Sequence, residues 1–253
     1  MKEPQKLRYF INSLKRGLAV LHSLSSSAKG LTLSELAALN KINHSTANRY
    51  LFTLRELGYV VQDPLTKTYM LTPKILSLGF PFIRNLDIRS RLVPYLIELN
   101  QELDVTTECA ILSGTEIVFV ERSRSSDVFD LNLAVGSRLP SYCTGLGKAI
   151  LAFIDLDEAR QVIASIDFIR HTPYTIVDKD RFMREIELTR QRGYAVNNQE
   201  MALGVKTFAV PIMRDGIAEG ACGISVHINR LKDSNLEQVF IKKLKEISQK
   251  TAI

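Results

Sequence analysis

Apolar residues recur at helical spacing through SLKRGLAVLHSL, where Leu14, Leu18, Leu21 and Leu24 share one face, so this stretch predicts a packed helix that SSSAKG then breaks. LTLSELAALN predicts a second helix with Leu33, Leu36, Ala37 and Leu39 on its buried side. Thr32 followed three residues later by Glu35 is a capping-box pattern, which satisfies the free amides of a helix start. After a tight turn over residues 40–43, HSTANRYLFTLRELG places Ala47, Tyr50, Leu51, Leu54 and Leu57 in one stripe. Asn43, His44 or Ser45 can cap its start, and Gly58 suits the position just past its end.

Two short helices around so tight a turn predict a helix-turn-helix. YVVQDPLTKTYMLT follows, with β-rich arms at 59–61 and 68–71 around Asp63-Pro64, and reads as a hairpin with Lys67 near its tip. Helices followed by a hairpin are the winged variant, whose second helix enters a DNA major groove and whose wing reaches the backbone or minor groove. Candidate DNA contacts are Ser45, Thr46, Asn48, Arg49 and Thr53 on the polar side of that helix, His44 at its start, Ser34 on the preceding helix and Lys67 on the wing.

Charge sharpens this picture. The chain carries a net charge of +6, but residues 1–80 hold 11 Lys/Arg against 4 Asp/Glu while the remainder is close to neutral. Basicity confined to one third implies a polyanionic partner for that third, because phosphate neutralisation releases counterions. At 253 residues, with 45% hydrophobic and 24% charged content, the chain is long enough for two globular domains. No apolar run approaches the ~18 to 20 residues of a membrane span, and Lys2, Lys6, Arg8, Lys15 and Arg16 interrupt the first segment, so the expectation is a cytoplasmic protein without membrane contact. Cys109, Cys143 and Cys222 show no paired or metal-ligand spacing and read as reduced core residues; no metal or cofactor is expected.

Beyond residue 86 the pattern mixes strands and helices. DIRSRLVPYLIELNQEL predicts a helix, TTECAILS and EIVFVERS a hairpin around Gly114-Thr115, VFDLNLAVG a further strand, and TGLGKAILAFI a helix start. DKDRFMREIELTRQRG predicts an amphipathic helix through Phe182, Ile186 and Leu188 or Thr189, ending at Gly193. KTFAVPIM and AEGACGISVHI predict strands paired around 214–216, and SNLEQVFIKKLKEISQK a closing helix. Segregated strands and helices favour α+β with an antiparallel sheet.

The order and spacing of several fragments resemble the IclR family of bacterial transcription regulators almost end to end. They are SLKRGLAVL, LTLSELAAL, STANRYLFTLRELGYV and YMLTPKILSLG, then GSRLPSYCTGLGKAILA, RGYAVNNQEMALGVKTFAVPI and ISVHINR. The resemblance implies a winged helix-turn-helix over 1–72, a linker helix over 73–86, and a GAF-like antiparallel-sheet domain over 87–253 for effector binding and oligomerisation. It implies a repressor or activator working as a homodimer or homotetramer on double-stranded operator DNA, with effector contacts at Leu146, Gly147, Asn197, Thr207, Ser225 and His227. Some relatives carry an acidic residue, a cysteine and a second serine where this chain has Asn197, Thr207 and His227, which points away from a glyoxylate or pyruvate type of ligand. GSRLP, TGLGK and SVH more nearly resemble the branch controlling aromatic-acid and β-ketoadipate breakdown, implying a carboxylate effector, aromatic or derived from a ring.

A hydrolase-like or metal-binding enzyme with an appended DNA-binding module is the alternative. GLGK departs from a phosphate loop because Lys148 precedes Ala149 and the earlier glycine is missing. Cys143 or Ser141 with His171 or His227 could form a nucleophile and base, yet no nucleophile elbow supports them. Ser225 and His227 could equally be residues that bond only within their strand.

Overall fold

A computed structural model describes residues 9–126, 133–232 and 234–253, which form two compact units that divide between Ile83 and Arg84. The strand expected in VFDLNLAVG and the basic residues Lys2, Lys6 and Arg8 fall wholly or largely outside the described residues.

The first unit contains helices α1 (Asn12–Ser25), α2 (Leu33–Leu39) and α3 (His44–Glu56), then an antiparallel pair β1 (Val60–Gln62) and β2 (Tyr69–Leu71). Its helix ends are fixed locally. Thr32 and Glu35 form the reciprocal capping box at α2, Asn43 accepts from the Thr46 amide at α3, and Gly58, at φ +76°, ends α3 in a left-handed conformation. Val20, Leu24, Leu36, Leu51, Leu54, Val60 and Tyr69 make its core.

Several expected core leucines are exposed instead: Leu14 and Leu18 on α1, Leu39 on α2 and Leu57 at the end of α3. Three short helices cover only a narrow stripe of one another, so residues at the margin of each stripe stay in solvent. After a 3-10 turn at Pro73–Ile75, α4 (Leu76–Arg84) leaves Leu76, Leu78, Phe80 and Phe82 exposed.

The second unit contains α5 (Asp87–Leu103), β3 (Thr106–Ser113), β4 (Glu116–Ser123), β5 (Arg138–Pro140), α6 (Gly145–Phe153), α7 (Leu156–Ala164), α8 (Lys179–Arg192), β6 (Ala195–Asn198), β7 (Val205–Arg214), β8 (Ile217–His227) and α9 (Ser234–Thr251). Its strands form one antiparallel sheet ordered β5-β4-β3-β8-β7-β6. On one face Val120, Phe208, Val210, Ile212 and Ile224 pack with Leu92 and Leu96 of α5 and Phe240 and Leu244 of α9. The other face presents mainly small residues, Ala110, Ala195, Ala209 and Ala221, against α6 and α8. This small-residue face admits α6 closely, and every residue of α6 from Gly145 to Ala152 is buried. The helix expected to start in TGLGKAILAFI is thus buried all round and has no polar stripe. In α8 the inward residue is Thr189 and Leu188 is exposed. The short β5, β6 and α7 were not predicted.

Candidate functional site

Two surfaces collect the predicted functional residues. In the first unit, Ser34, His44, Ser45, Asn48, Arg49, Thr53 and Lys67 are exposed and Thr46 is half-buried. Ser45, Asn48 and Arg49 stand at i, i+3 and i+4 on α3 and therefore share a face. Thr53 donates its hydroxyl to the Arg49 carbonyl at 2.9 Å, so its side chain is partly spoken for within the helix. At the wing, the amides of Thr66 and Leu65 donate to the Asp63 carboxylate at 2.8 Å each and hold its pKa below the ordinary range. That turn sets Lys67, at φ +59°, on the exposed tip. Lys41, also exposed, projects from the turn between α2 and α3 and was not among the predicted contacts.

In the second unit, β-register builds a polar row across four adjacent strands. Thr106 of β3 pairs with Ser225 of β8, Ser225 with Thr207 of β7, and Thr207 with Asn197 of β6. All four line one cavity, beside Gly145 and Leu146 at the first turn of α6, with His227 at its edge and Phe119, Leu133, Leu139 and Met201 as apolar walls. The space between these side chains, open mouth included, is about 710 Å³.

The hydroxyls of Thr207 and Ser225 lie 2.8 Å apart, and Ser225 donates onward to the Glu108 carboxylate at 2.8 Å. Glu108 and Arg122, cross-strand partners on β3 and β4, form a buried ion pair at 3.5 Å, and Arg122 also donates to the Leu133 carbonyl at 3.0 Å. Sequence reasoning missed both. The available signal was a charge at alternating positions within apolar strand runs, which burial tolerates only with a partner.

Three predicted contacts hold the site together in other ways. The Asn197 amide donates to the Cys143 carbonyl at 2.6 Å and accepts from the Glu200 amide at 2.9 Å, so it ties the segment before α6 to the turn after β6. Gly147 lies outside the cavity lining. Its missing side chain makes room for the Ser141 backbone, whereas Gly145 abuts Thr207 beside the cavity. His227 accepts the Asn229 amide at Nδ1, 3.3 Å away, and packs its Nε2 edge against Gly204.

Lys148 of the GLGK fragment is buried and bonded to the Glu200 carboxylate and the Val196 carbonyl, at 3.0 Å for the latter, which leaves it no role in cradling phosphate. Burial raises the Glu200 carboxyl above its ordinary range despite that partner. Of the conceivable nucleophiles, Ser141 donates to the Thr115 carbonyl at 2.8 Å, and burial, reinforced by Glu200, pushes the Cys143 thiol up to about 12. Among the described residues no cluster of His, Cys, Asp and Glu suits a metal ion, and no helix is long and apolar enough to cross a membrane.

Comparison with known proteins extends the picture. Residues 80–253 match the family profile "Bacterial transcriptional regulator IclR C-terminal", and residues 13–64 match the IclR helix-turn-helix domain. The Pca regulon regulatory protein of Pseudomonas putida is 32% identical over 92% of this chain and 80% of its own length. The crystal structure of a transcriptional regulator from Rhodococcus sp. RHA1 superposes with a TM-score of 0.81 at 31% identity, covering 96% of this chain and 97% of that one. At 20% identity an IclR homolog of Microbacterium hydrocarbonoxydans, crystallised with 4-hydroxybenzoate, shares the fold with a TM-score of 0.81 over 94% of this chain and 97% of its own.

Proposed function

This chain belongs to the IclR family of bacterial transcriptional regulators, and from that premise we propose how its parts divide the work. It is a DNA-binding regulator whose operator binding is modulated by a small molecule. The winged helix-turn-helix of residues 1–72 reads DNA, with Ser45, Asn48 and Arg49 facing the major groove and Ser34, His44, Thr46, Thr53 and Lys67 contacting backbone or adjacent bases. Residues 73–86 link it to the effector-binding and oligomerisation domain of 87–253. Exposed Leu14 and Leu18 on α1 and Leu76, Leu78, Phe80 and Phe82 on α4 are more apolar surface than a solitary unit leaves open, which favours at least a homodimer on a two-fold operator. Activity of this kind is cytoplasmic.

The effector is a small aromatic carboxylate. One observation carries this reading: a hydroxyl-lined row, Thr106, Ser225 and Thr207, runs beside the first turn of α6 in a cavity that also has apolar walls at Phe119, Leu133, Leu139 and Met201. First-turn amides of a helix lack intrahelical acceptors and carry partial positive charge, so the carboxylate sits at Gly145 and Leu146. The ring lies against Phe119, Leu139 and Met201, and His227, Ser225 and Thr207 supply polar contacts around it. Bound 4-hydroxybenzoate in the Microbacterium hydrocarbonoxydans homolog, and the Pca regulon name of the Pseudomonas putida relative, support the aromatic class. Calorimetry with hydroxybenzoates, phenylacetates and short keto acids tests it. Micromolar binding of a hydroxybenzoate that weakens in His227→Ala or Ser225→Ala is expected; tighter binding of a keto acid than of any aromatic acid contradicts the assignment.

A further inference from the structure

Lys148, in α6, is 1% exposed, and Glu200, just past the end of β6, is 6% exposed. The Lys148 ammonium bonds the Glu200 carboxylate and donates to the Val196 carbonyl at 3.0 Å, so it grips both β6 and the chain that follows it. Neither side chain lines the effector cavity, yet each stands directly behind residues that do. Glu200 is followed by Met201 and Ala202, which form part of the cavity wall, and Lys148 is one helical turn past Gly145 and Leu146. The ion pair therefore joins two walls of one cavity from behind.

Segment 199–204 between β6 and β7 is neither helix nor strand, so bonds to neighbouring elements decide where it lies. Its Glu200 amide donates to the Asn197 side chain at 2.9 Å, Asn197 donates to the Cys143 carbonyl at 2.6 Å, and Thr175 donates to the Glu200 carbonyl at 2.7 Å. Lys148 adds the hold that comes from α6 itself. A buried ion pair is weak ground for stability, because an apolar pair of similar volume does as well or better. What it supplies is one preferred geometry, since either charge is costly unless it meets the other.

Resting on the reading of this cavity as the effector site, we infer that Lys148 and Glu200 are positioning residues for the effector. Their ion pair fixes the segment carrying Met201 and Ala202 relative to the first turn of α6, and so sets the distance between the helix start and the opposing apolar wall. Effector affinity then depends on a pair that the effector does not touch. This gives a task to the lysine of the GLGK fragment, which stands in a helix buried all round where leucine or methionine would need no partner.

The test compares full-length Lys148→Met, Glu200→Met and the double variant carrying both changes. Each single variant leaves one buried charge without its partner and should melt well below wild type, whereas the double variant removes both charges and should melt above either single one. In the double variant, calorimetry should show 4-hydroxybenzoate binding about tenfold weaker than wild type or worse, because the wall is no longer preorganised. Hydrogen exchange at the amides of 199–204 should be about tenfold faster or more, while α5 and α9 exchange as in wild type. Wild-type binding, or unchanged exchange over 199–204, in the double variant overturns the inference and makes the pair a matter of stability alone. Glu200→Gln keeps an acceptor for Lys148 but not the charge, and should move both readings in the same direction by about threefold or more; no movement in either overturns the inference even where the double variant fails to fold. Absence of binding by wild type overturns the aromatic reading instead, and exchange over 199–204 then decides whether the pair holds the wall.

Discussion

A β-carbon placed on Gly147 would lie 2.2 Å from the carbonyl oxygen of Ser141 and 2.5 Å from its Cα, both backbone atoms of the turn that precedes α6. No rotamer change relieves such a contact. Gly147→Ala should therefore cost at least about 2 kcal/mol, as overpacked core positions do. Gly79→Ala is the matched control, since nothing lies within 4 Å of its added carbon, and removing a helical glycine should stabilise by up to ~1 kcal/mol. Urea titration of both variants reads the difference; a Gly147→Ala protein as stable as wild type would mean that the turn is not packed as described.

Ser225→Ala removes the donor that Glu108 accepts at 2.8 Å and the acceptor that Thr207 uses. Leaving a buried carboxylate short of one donor costs ~1 to 3 kcal/mol, a lowering of Tm by several degrees in a domain of this size. Thr207→Val, which removes only the outer end of the chain, should cost less. Differential scanning calorimetry orders the two; a larger loss for Thr207→Val would place the anchor of the row at Thr207 instead.

Arg49→Ala should weaken operator binding without lowering Tm, because Arg49 is exposed on α3. Loss of a base contact costs ~1 to 3 kcal/mol and relaxes specificity at one base pair, whereas loss of a phosphate contact weakens all sites and reduces the salt slope by about one. Fluorescence anisotropy at several salt concentrations separates these outcomes. Wild-type affinity in the folded variant would remove α3 as the reading helix.

The three thiols should be nearly inert. Burial pushes Cys143 and Cys222 up to about 12 and Cys109 well above its ordinary value, so at pH 8 the thiolate fraction of each is very small. Ellman's reagent should react slowly with the native protein and release all three thiols in denaturant. Rapid reaction of Cys143 in the folded protein would reopen the nucleophile reading.

Much of this fold was readable from local chemistry. The capping box at Thr32 and Glu35, the Asn43 cap, Gly58 and the β3–β4 hairpin around Gly114-Thr115 each follow from signals within a few residues. What stayed hidden depends on contacts distant in sequence. Leu14 and Leu18 follow the same period as Leu24, and only the packing of α2 and α3 decides which of them is covered. The cavity was half visible. Leu146, Asn197, Thr207, Ser225 and His227 came from resemblance, but Glu108 and Arg122 lie in strand runs where the charge alone marks them, and their pairing appears only once β3 meets β4 and β8. The resemblance implied Gly147 as an effector contact, whereas its packing against Ser141 depends on the backbone path of the intervening turn, which no local signal shows.

Effector control requires that a ligand in the α6 cavity and DNA on α3 be coupled, and linkage makes each change the affinity of the other by the same factor. The most direct measurement titrates the full-length protein onto a labelled duplex from its own upstream region, with and without saturating 4-hydroxybenzoate, and then titrates 4-hydroxybenzoate onto the protein with and without that duplex. A change of about 5- to 150-fold in DNA affinity, matched by an equal change in ligand affinity and abolished in Ser225→Ala, is the predicted result. Tight ligand binding with DNA affinity unchanged would contradict it, because a ligand that binds both states equally shifts nothing.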